Sequence, residues 1–254
     1  MTTVYDIYSF IEDIAPYRLQ ESYDNSGLNV GEMSAEVRSV LVALDCTAEV
    51  AREACQRDFD LVLTHHPVIF RGLKTLVPND PAVILAAGGK NALSMHTNFD
   101  SAEGGMNDVL CKMLGLKPES ALHEEHGVGC GYVCKCDGIN VRELAQRAKD
   151  VLGCRVVRFS GGEREIRRVG VCSGSGGSFL ADAAEKGCQV LLTGDVKHDV
   201  FIDGGNMGVS VIDAGHFYTE NIFCEFISNE LKNKFSGLRA VSYTHLTLPT
   251  NSLV

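Results

Sequence analysis

Two adjacent histidines at the end of an apolar run have the residue type and the position that a metal site needs. His65 and His66 follow the run LVLT at 61–64 and are followed by Pro67. Successive side chains of a strand point to opposite faces, so an uninterrupted strand would separate the two rings. Proline has no N–H and pushes its predecessor into extended or turn geometry. We therefore predict that the strand ends here and that both rings face the space beyond its carboxyl end.

A second apolar run, NALSMH at 91–96, ends in the same way and is followed by a carboxylate. It supplies His96, and Asp100 comes four residues later. Open α/β sheets bind ligands at the carboxyl ends of their strands, so we expect these groups to lie near the histidine pair. Asp100 offers a hard oxygen ligand, whereas His96 could ligate directly or orient a ligand. We favour orientation or proton transfer for His96, because two metals can be held without it.

A histidine and a glutamate one helical turn apart form the third fragment. His216 ends the run VSVIDAGH at 209–216, and Glu220 lies at the start of the helical pattern FYTENIFCEFISNELKNK. A spacing of four residues places both side chains on one face of a helix. The N–H groups of the first helical turn also favour an anion, so a phosphate or carboxylate of a small substrate could bind beside the metals.

The three fragments together predict a two-metal centre, although each one alone has a commoner explanation. A single histidine near a strand end is usually a hydrogen-bonded surface or core residue, and an isolated His/Glu pair on a helix is more often a capping interaction. Three fragments at three separate strand ends favour metal. Five ligands hold two divalent ions if one carboxylate bridges them, and zinc, manganese, iron and cobalt all suit these donors. The predicted ligands are His65, His66, Asp100, His216 and Glu220.

Two further segments that follow strands carry groups for proton transfer or anion binding. Asp195 and His198 come after the run QVLLTG at 189–194, where they either line the same cleft or cap the next helix. The turn SGSGGS at 173–178 could cradle an anion with its N–H groups, or could simply join a strand tightly to a helix. Together with His96, Asp195 and His198 are the catalytic candidates.

Short apolar runs alternate with helical patterns along the chain, which is typical of α/β proteins. We predict two similar α/β lobes with mainly parallel or mixed sheets flanked by helices, and a metal site at strand carboxyl ends between the lobes. The first lobe spans 1–125, with the final helix 216–235 and the last strand packing back on it, and the second lobe spans 126–243. The boundary falls in 116–139, where Gly, Pro and charge mix without long apolar periodicity. The segment 244–254 resembles a translated adapter, so we expect it to be a non-native tail.

Composition and charge exclude several classes of protein. A chain of 254 residues with 45 % apolar residues can bury a sizeable core, which argues against disorder. A formal charge of −10 without any Lys/Arg-rich run argues against nucleic acid as a partner. No apolar run approaches the ~20 residues of a membrane helix, and acids stand near the N-terminus where a signal peptide has bases. Ten scattered cysteines then indicate reduced thiols in a cytoplasmic protein.

Five motifs spread along nearly the whole chain form a specific signature. They are YDNSGL at 23–28, THHP at 64–67, HTNFD at 96–100, TGD at 193–195 and GH at 215–216 with Glu220. This signature resembles the NGG-interacting-factor-like family of dinuclear metal-centre proteins, whose bacterial members are often named homologues of type 2 GTP cyclohydrolase I. The resemblance implies the five metal ligands given above, two divalent ions per chain, and a toroidal homohexamer with its sites facing an inner cavity.

The same resemblance implies a metal-dependent hydrolase that acts on a small anionic molecule, such as a purine nucleotide. In the cyclohydrolase interpretation, water attacks the imidazole carbon of GTP, and His96 or Asp195 transfers protons. A two-metal phosphoesterase is less favoured because the usual Asp-rich series of ligands is absent. The alternative is a non-enzymatic metal-binding scaffold or metal carrier that acts through protein partners. Fold and ligands do not select between these functions.

Overall fold

The chain folds into two compact units in the computed structural model, which describes residues 1–243. The first unit comprises 1–11, 23–96 and the described chain from 223 onward, and the second comprises 12–22 and 97–222. The segment 244–254, for which we expect a non-native origin, lies outside the described residues.

The first unit is built on a five-stranded sheet. Its strands are β1 (Gly27–Val30), β2 (Ser39–Ala43), β3 (Leu61–Thr64), β4 (Asn91–Ser94) and β11 (Arg239–Ser242). The strand order is β1-β4-β3-β2-β11, in which β1 is antiparallel to β4 and the other neighbours are parallel. Every residue of β2, β3 and β4 is buried, as the continuous apolar runs predict for parallel strands covered on both faces. The helices of this unit are α1 (Val4–Ile14), α2 (Ala48–Gln56), α3 (Pro81–Ala87) and α10 (Ile222–Lys234). The part of α1 after Ile11 and the first residue of α10, Ile222, are assigned to the second unit.

The second unit contains a six-stranded mixed sheet. Its strands are β5 (Lys117–Glu125), β6 (Val128–Asn140), β7 (Arg158–Phe159), β8 (Glu165–Val171), β9 (Val190–Thr193) and β10 (Ser210–Asp213), in the order β5-β6-β8-β9-β10-β7. Strands β8, β9 and β10 are parallel, and the other pairs are antiparallel. Its helices are α4 (Thr97–Ser101), α5 (Met106–Met113), α6 (Val141–Leu152), α7 (Leu180–Glu185), α8 (His198–Met207) and α9 (His216–Glu220), with short 3-10 helices at Tyr17–Leu19 and Gly177–Phe179.

Apolar side chains cover both faces of the second sheet. Val190 and Leu192 of β9 belong to one buried cluster, whereas Leu191 between them belongs to another. This alternation is the period of two expected of a strand, and it explains why QVLLTG is apolar throughout. The prediction of an α/β fold with two lobes and mainly parallel or mixed sheets is confirmed.

The segment 116–139, in which we predicted a lobe boundary, instead forms a long β-hairpin. Strands β5 and β6 pair from Lys117 opposite Lys135 to Glu125 opposite Val128. Most side chains of β5 are exposed, so the segment lacks the apolar alternation that would have indicated a strand. Residues 97–125 belong to the second unit, because β5 is hydrogen-bonded to β6. The predicted division after residue 125 therefore falls inside this hairpin.

Local signals determine where several helices begin and end. The Asn140 side chain accepts a hydrogen bond from the Glu143 N–H, and the Glu143 side chain accepts one from the Asn140 N–H. Helix α6 therefore begins with a capping box. It ends at Gly153, whose φ of 69° suits a residue without a Cβ. The helical pattern after His216 is divided at Asn221 into α9 and α10. None of the helices in residues 1–243 combines the length and the apolar character needed to cross a lipid bilayer.

Candidate metal centre

The histidine pair lies immediately beyond the carboxyl end of β3, as Pro67 predicts. The Thr64 hydroxyl donates a hydrogen bond to the carbonyl oxygen of His66 at 2.7 Å, which closes the turn after the strand. The two imidazole centroids lie 5.1 Å apart with the rings tilted by 45°. His65 is fully buried and His66 is half-buried. The end of the strand therefore brings together two rings that continued pleating would have separated.

His96 completes a cluster of three histidines within the first unit. It lies two residues beyond β4, the neighbour of β3, and its ring centroid is 5.2 Å from that of His65 and 5.4 Å from that of His66. One ring nitrogen from each of the three histidines lies within 4.8 Å of those of the other two. The shared edge of neighbouring parallel strands explains this convergence. The cluster could hold a metal ion.

Each of the three imidazoles is held through its Nδ1 atom. His65 Nδ1 donates to the carbonyl oxygen of Met95 at 2.9 Å, and because a carbonyl oxygen only accepts, this nitrogen carries the proton. His66 Nδ1 lies 2.7 Å from Asp45 Oδ1, and His96 Nδ1 lies 2.8 Å from Asp24 Oδ1. With the proton on Nδ1, the lone pair of each ring lies on Nε2, and hydrogen-bonded partners of this kind are typical of metal-binding histidines.

In the second unit, His216 and Glu220 lie on α9, as the spacing of four residues predicts. His216 Nε2 is 2.8 Å from Glu220 Oε2, and His216 Nδ1 is 3.0 Å from Asp195 Oδ2. Glu220 is only 4 % exposed, and burial of a carboxylate is costly unless a charge, hydrogen bonds or a metal compensates for it. The contact between Asp195 and His216 Nδ1 resembles the contact between Asp45 and His66 Nδ1.

Asp100 lies in the short helix α4 and is fixed through Asn107 and Ser173. Asn107 Nδ2 donates to the carbonyl oxygen of Asp100 at 2.9 Å, and Asn107 Oδ1 accepts from the Ser173 N–H at 2.8 Å. The Ser173 hydroxyl lies 3.4 Å from Asp100 Oδ1. A carboxylate oxygen of Asp100 is also within 4.8 Å of one of Glu220. Two acidic candidate ligands are thus close together within the second unit.

The glycine-rich turn after β8 makes room for Glu220. Gly174 has a φ of +62°, and a Cβ added there would lie 2.2 Å from Glu220 Oε1. Gly194 is similarly close to His216, because a Cβ added at Gly194 would lie 2.4 Å from the His216 backbone nitrogen. Both glycines are needed for close approach to candidate ligands. Residues 173–178 join β8 to the short 3-10 helix before α7, as expected for a strand-to-helix turn, and the binding of an anion there stays a prediction.

The remaining sequence candidates differ in their surroundings. Asp195 is exposed, has a φ of +51° and contacts His216, whereas Lys197 is the N-cap of α8 and makes no side-chain cap. His198 is exposed at the first position of α8 and belongs to none of the His and acidic clusters formed by residues 1–243. Their catalytic roles stay predictions.

The available donors are imidazole nitrogen and carboxylate oxygen, which suit zinc, manganese, iron or cobalt. A soft thiolate donor is disfavoured nearby. Hydrogen bonding to Cys130 and burial raise the pKa of the Cys172 thiol well above its ordinary value, and the charges of Asp100 and Glu220 act in the same direction. The neutral thiol is therefore favoured at Cys172, and the His and acidic residues of the described clusters offer nitrogen and oxygen donors.

Sequence reasoning missed the two aspartates that orient His66 and His96. Asp45 follows β2 by two residues, so the rule that neighbouring strands share a carboxyl edge would have found it. Asp24 lies in the YDNSGL motif before β1, whose antiparallel pairing with β4 sets Gly27 opposite Ser94 and so places the start of β1 beside the carboxyl end of β4. This pairing was not apparent from the sequence. Only the fold brings Asp24 to His96.

Comparisons with known proteins agree with the motif signature. The sequence profile of Duf34/NIF3 (NGG1p interacting factor 3) matches residues 2–251. A Clostridium perfringens protein named GTP cyclohydrolase 1 type 2 homolog is 35 % identical over 242 residues, or 91 % of this chain and 92 % of that protein. A Helicobacter pylori protein named GTP cyclohydrolase 1 type 2 is 33 % identical over 246 residues, or 94 % of this chain and 95 % of that protein.

Solved structures show the same fold. The crystal structure of a Staphylococcus aureus hypothetical protein matches with a TM-score of 0.88 at 26 % identity, over 99 % of this chain and 99 % of that chain. The profile match takes in both compact units, and the curated relatives align over almost their full lengths. The resemblance read from the motifs is confirmed, and the chain belongs to the Duf34/NIF3 family.

Proposed function

We propose that this protein is a metal-dependent hydrolase that acts on a purine nucleotide and holds two divalent ions per chain. The proposed ligands are His65, His66, Asp100, His216 and Glu220. The observation that carries the proposal is the shared orientation of the histidines: His65, His66 and His216 each have Nδ1 engaged by an oxygen of the protein. For His65 the carbonyl partner fixes the tautomer that offers Nε2 to a metal, and for His66 and His216 the aspartate partners orient the rings.

The chemistry of a bound divalent ion is to lower the pKa of a water molecule and to polarise the bond that is attacked. The protein's own residues must position the substrate and move protons. Opening the imidazole ring of GTP requires a proton at the departing nitrogen. His96 is the candidate donor, because its ring is oriented by the Asp24 carboxylate, whose Oδ1 atom lies 2.8 Å from His96 Nδ1. Asp195 acts through His216 as a positioning residue. His198 stays a proton-transfer candidate on the sequence pattern alone.

The names of the relatives support the choice of substrate. Proteins from Clostridium perfringens and Helicobacter pylori that are 35 % and 33 % identical carry names that refer to GTP cyclohydrolase 1 type 2. A small anionic nucleotide also agrees with a metal centre, because a bound cation dominates the local field of a protein with a net charge of −10.

Two successive experiments test the proposal: first the metal content of the protein and then its turnover of GTP. Inductively coupled plasma mass spectrometry of the untagged protein should find about two metal ions per chain. Glu220→Ala should reduce the content, whereas Glu225→Ala, at an exposed position on α10, should leave it unchanged. The loaded protein should then open the GTP ring, and His66→Ala should abolish turnover while the exposed His126→Ala does not. Absence of metal after reloading would exclude the whole proposal.

A metal-binding scaffold or metal carrier is the second candidate, and ligand exposure favours it. The side chains of His66 and His216 are 25 % and 31 % exposed, so solvent and a partner's ligands can reach them. A carrier should lose its ions to a chelator within minutes and show no turnover of any nucleotide. An enzyme with a resident metal should retain its ions during repeated turnover.

We also propose, from the family resemblance, that the protein forms a homohexamer in the cytoplasm. All ten cysteines are free and seven of them are buried, which suits a reducing compartment. Light scattering coupled to size-exclusion chromatography tests the assembly. A mass of one or two chains at physiological concentration would rule out the hexamer.

A further inference from the structure

An exposed loop begins at the histidine pair and connects it to α3. This loop, 67–79, has no regular secondary structure, and every residue from Phe70 to Asn79 is exposed. Its first part is nevertheless anchored. Asn29 Oδ1 accepts a hydrogen bond from the Val68 N–H at 2.8 Å, and Asn25 Nδ2 donates to the Ile69 carbonyl oxygen at 2.6 Å. The following residue, Phe70, therefore projects from a fixed base.

Two aromatic rings stand beside the histidine cluster at the start of this loop. Phe70 is 41 % exposed and Tyr23 is 64 % exposed. Their centroids are 6.3 Å apart at an angle of 64°, and the Phe70 ring lies 5.9 Å from that of His96 at 81°. These edge-to-face contacts orient the rings while leaving ring surface open to solvent. Tyr23 also precedes Asp24, which holds His96, so one segment positions both an aromatic ring and a candidate catalytic group.

The loop combines apolar surface with positive charge. Leu73, Leu76 and Val77 are exposed apolar residues. The exposed cations Arg71 and Lys74 lie on either side of Leu73. Single exposed apolar residues are normal, but several on one short loop mark a binding surface. Cations are notable here because the whole chain carries a formal charge of −10. The surface therefore suits a ligand that is both planar and anionic.

We propose that Tyr23 and Phe70 stack the planar nitrogen heterocycle of a nucleotide, and that Arg71 and Lys74 bind its phosphates. This inference rests on the substrate class of the proposed function and assigns its recognition to the 67–79 loop. Aromatic rings stack on bases of any sequence through their π-faces, and guanidinium and ammonium groups pair with phosphate oxygens. The contact between Phe70 and His96 places the base beside the group that would transfer its proton.

Isothermal titration calorimetry with two part-ligands tests the two halves of this site separately. Guanosine carries the base without phosphate, and inorganic triphosphate carries the charge without a base. The Phe70→Leu variant keeps apolar bulk and removes the ring, so guanosine should bind about fivefold more weakly or worse, with triphosphate unchanged. The Arg71→Ala/Lys74→Ala variant should weaken triphosphate binding about fivefold and leave guanosine unchanged. Matched controls are Tyr5→Leu and Lys112→Ala, at exposed positions on α1 and α5.

Several outcomes would overturn the site. Guanosine that fails to bind the wild-type protein at millimolar concentration, or that binds Phe70→Leu as tightly as wild type, would remove the stacking role. Equal losses for both part-ligands in both variants would indicate a general disturbance of the loop. If the only effect of Phe70→Leu were a smaller assembly in light scattering, the loop would be a contact between copies of the chain. The crossed binding pattern without GTP turnover would retain the site and reject the hydrolase.

Discussion

His96 Nδ1 and Asp24 Oδ1 lie 2.8 Å apart although 72 residues separate them in the chain. The Asp24 side chain is completely buried and also accepts hydrogen bonds from the Asn25 N–H at 2.7 Å and the Ser26 hydroxyl at 3.0 Å. A buried carboxylate with these partners is a fixed negative charge, and its strongest effect falls on the imidazole beside it. This pair links the YDNSGL motif to the histidine cluster.

Replacing Asp24 by asparagine should slow turnover, because Asp24 orients the proposed proton donor His96. The Asp24→Asn side chain has nearly the same shape but no charge, so the His96 ring loses the carboxylate that holds its orientation. Loss of such a partner typically costs 10- to 100-fold in metal affinity or activity, and we expect turnover to fall by about that factor. Kinetics of GTP turnover measure this loss, and competition with a chromophoric chelator measures any change in metal affinity.

The matched control for this experiment is Asp13→Asn, at an exposed position on α1. If His96 is a metal ligand, Asp24→Asn should change metal stoichiometry as well as turnover. If His96 transfers protons only, the ions should stay bound while the pH profile of turnover changes. Unchanged affinity together with an unchanged pH profile would refute any role for the pair.

Adding a methyl group at Gly174 should displace Glu220. A Cβ at this position would lie 2.2 Å from Glu220 Oε1, and the φ of +62° disfavours any residue with a side chain. We expect Gly174→Ala to lower the free energy of unfolding by about 1–3 kcal/mol and to reduce metal content. Urea denaturation and mass spectrometry of the metal measure the two effects.

Gly177→Ala is the control, because a Cβ there makes only ordinary contacts of 3.5 Å with Val200. It should change neither metal content nor stability appreciably. Equal metal content in wild type and Gly174→Ala would mean that Glu220 does not need this space to act as a ligand.

Removal of metal should destabilise the protein. An ion that binds the folded chain but not the unfolded chain adds about 2.7 kcal/mol to stability when its free concentration is 100 times Kd. Dialysis against a chelator should therefore lower the thermal midpoint, and the missing ion should restore it. The Glu220→Ala variant should show a smaller difference between the two states. Identical melting curves with and without chelator in the wild type would contradict metal binding at equilibrium.

Alkaline conditions should destabilise the fold through buried thiols. Burial raises the pKa of Cys154 and Cys188 from an ordinary 9.0 to about 11. Because their folded pKa is higher than their unfolded pKa, these thiols contribute stability that is fully present below pH 9 and is lost as the pH rises towards 11. Each thiol should cost about 1 kcal/mol of unfolding free energy between pH 8 and pH 10.

Guanidinium denaturation of wild type and Cys188→Ala at both pH values separates this effect from lysine and tyrosine titration. The variant should lose less stability than wild type over the same range, by about the contribution of one thiol. A loss of the same size in both proteins would show that Cys188 does not titrate differently in the folded and unfolded chains.

Much of the candidate site follows from the sequence because its parts are local. The continuous apolar runs LVLT and NALS predict buried strands, and Pro67 predicts where the first one ends. The spacing of His216 and Glu220 predicts a shared helix face. Each of these inferences uses only neighbours within about one turn or one strand, for which the backbone geometry is determined by covalent structure and hydrogen bonding.

The hairpin formed by β5 and β6 could not be predicted from local sequence patterns. Its first strand is largely exposed and polar, and the pairing with β6 comes from backbone hydrogen bonds that do not depend on an apolar pattern. The predicted boundary therefore fell inside a continuous sheet. A mixture of Gly, Pro and charge indicates a loop only when no partner strand is available.

By itself, the sequence determined the α/β class, the strand ends that carry His65, His66 and His216, and the family signature in five motifs. Tertiary structure alone decided that Asp24, Asp45 and Asp195 hold the Nδ1 atoms of His96, His66 and His216. The reason is physical. Residue type and spacing specify what a side chain can bind. A hydrogen bond of 2.7 to 3.0 Å between segments distant in the chain exists only after the strands of each sheet have paired.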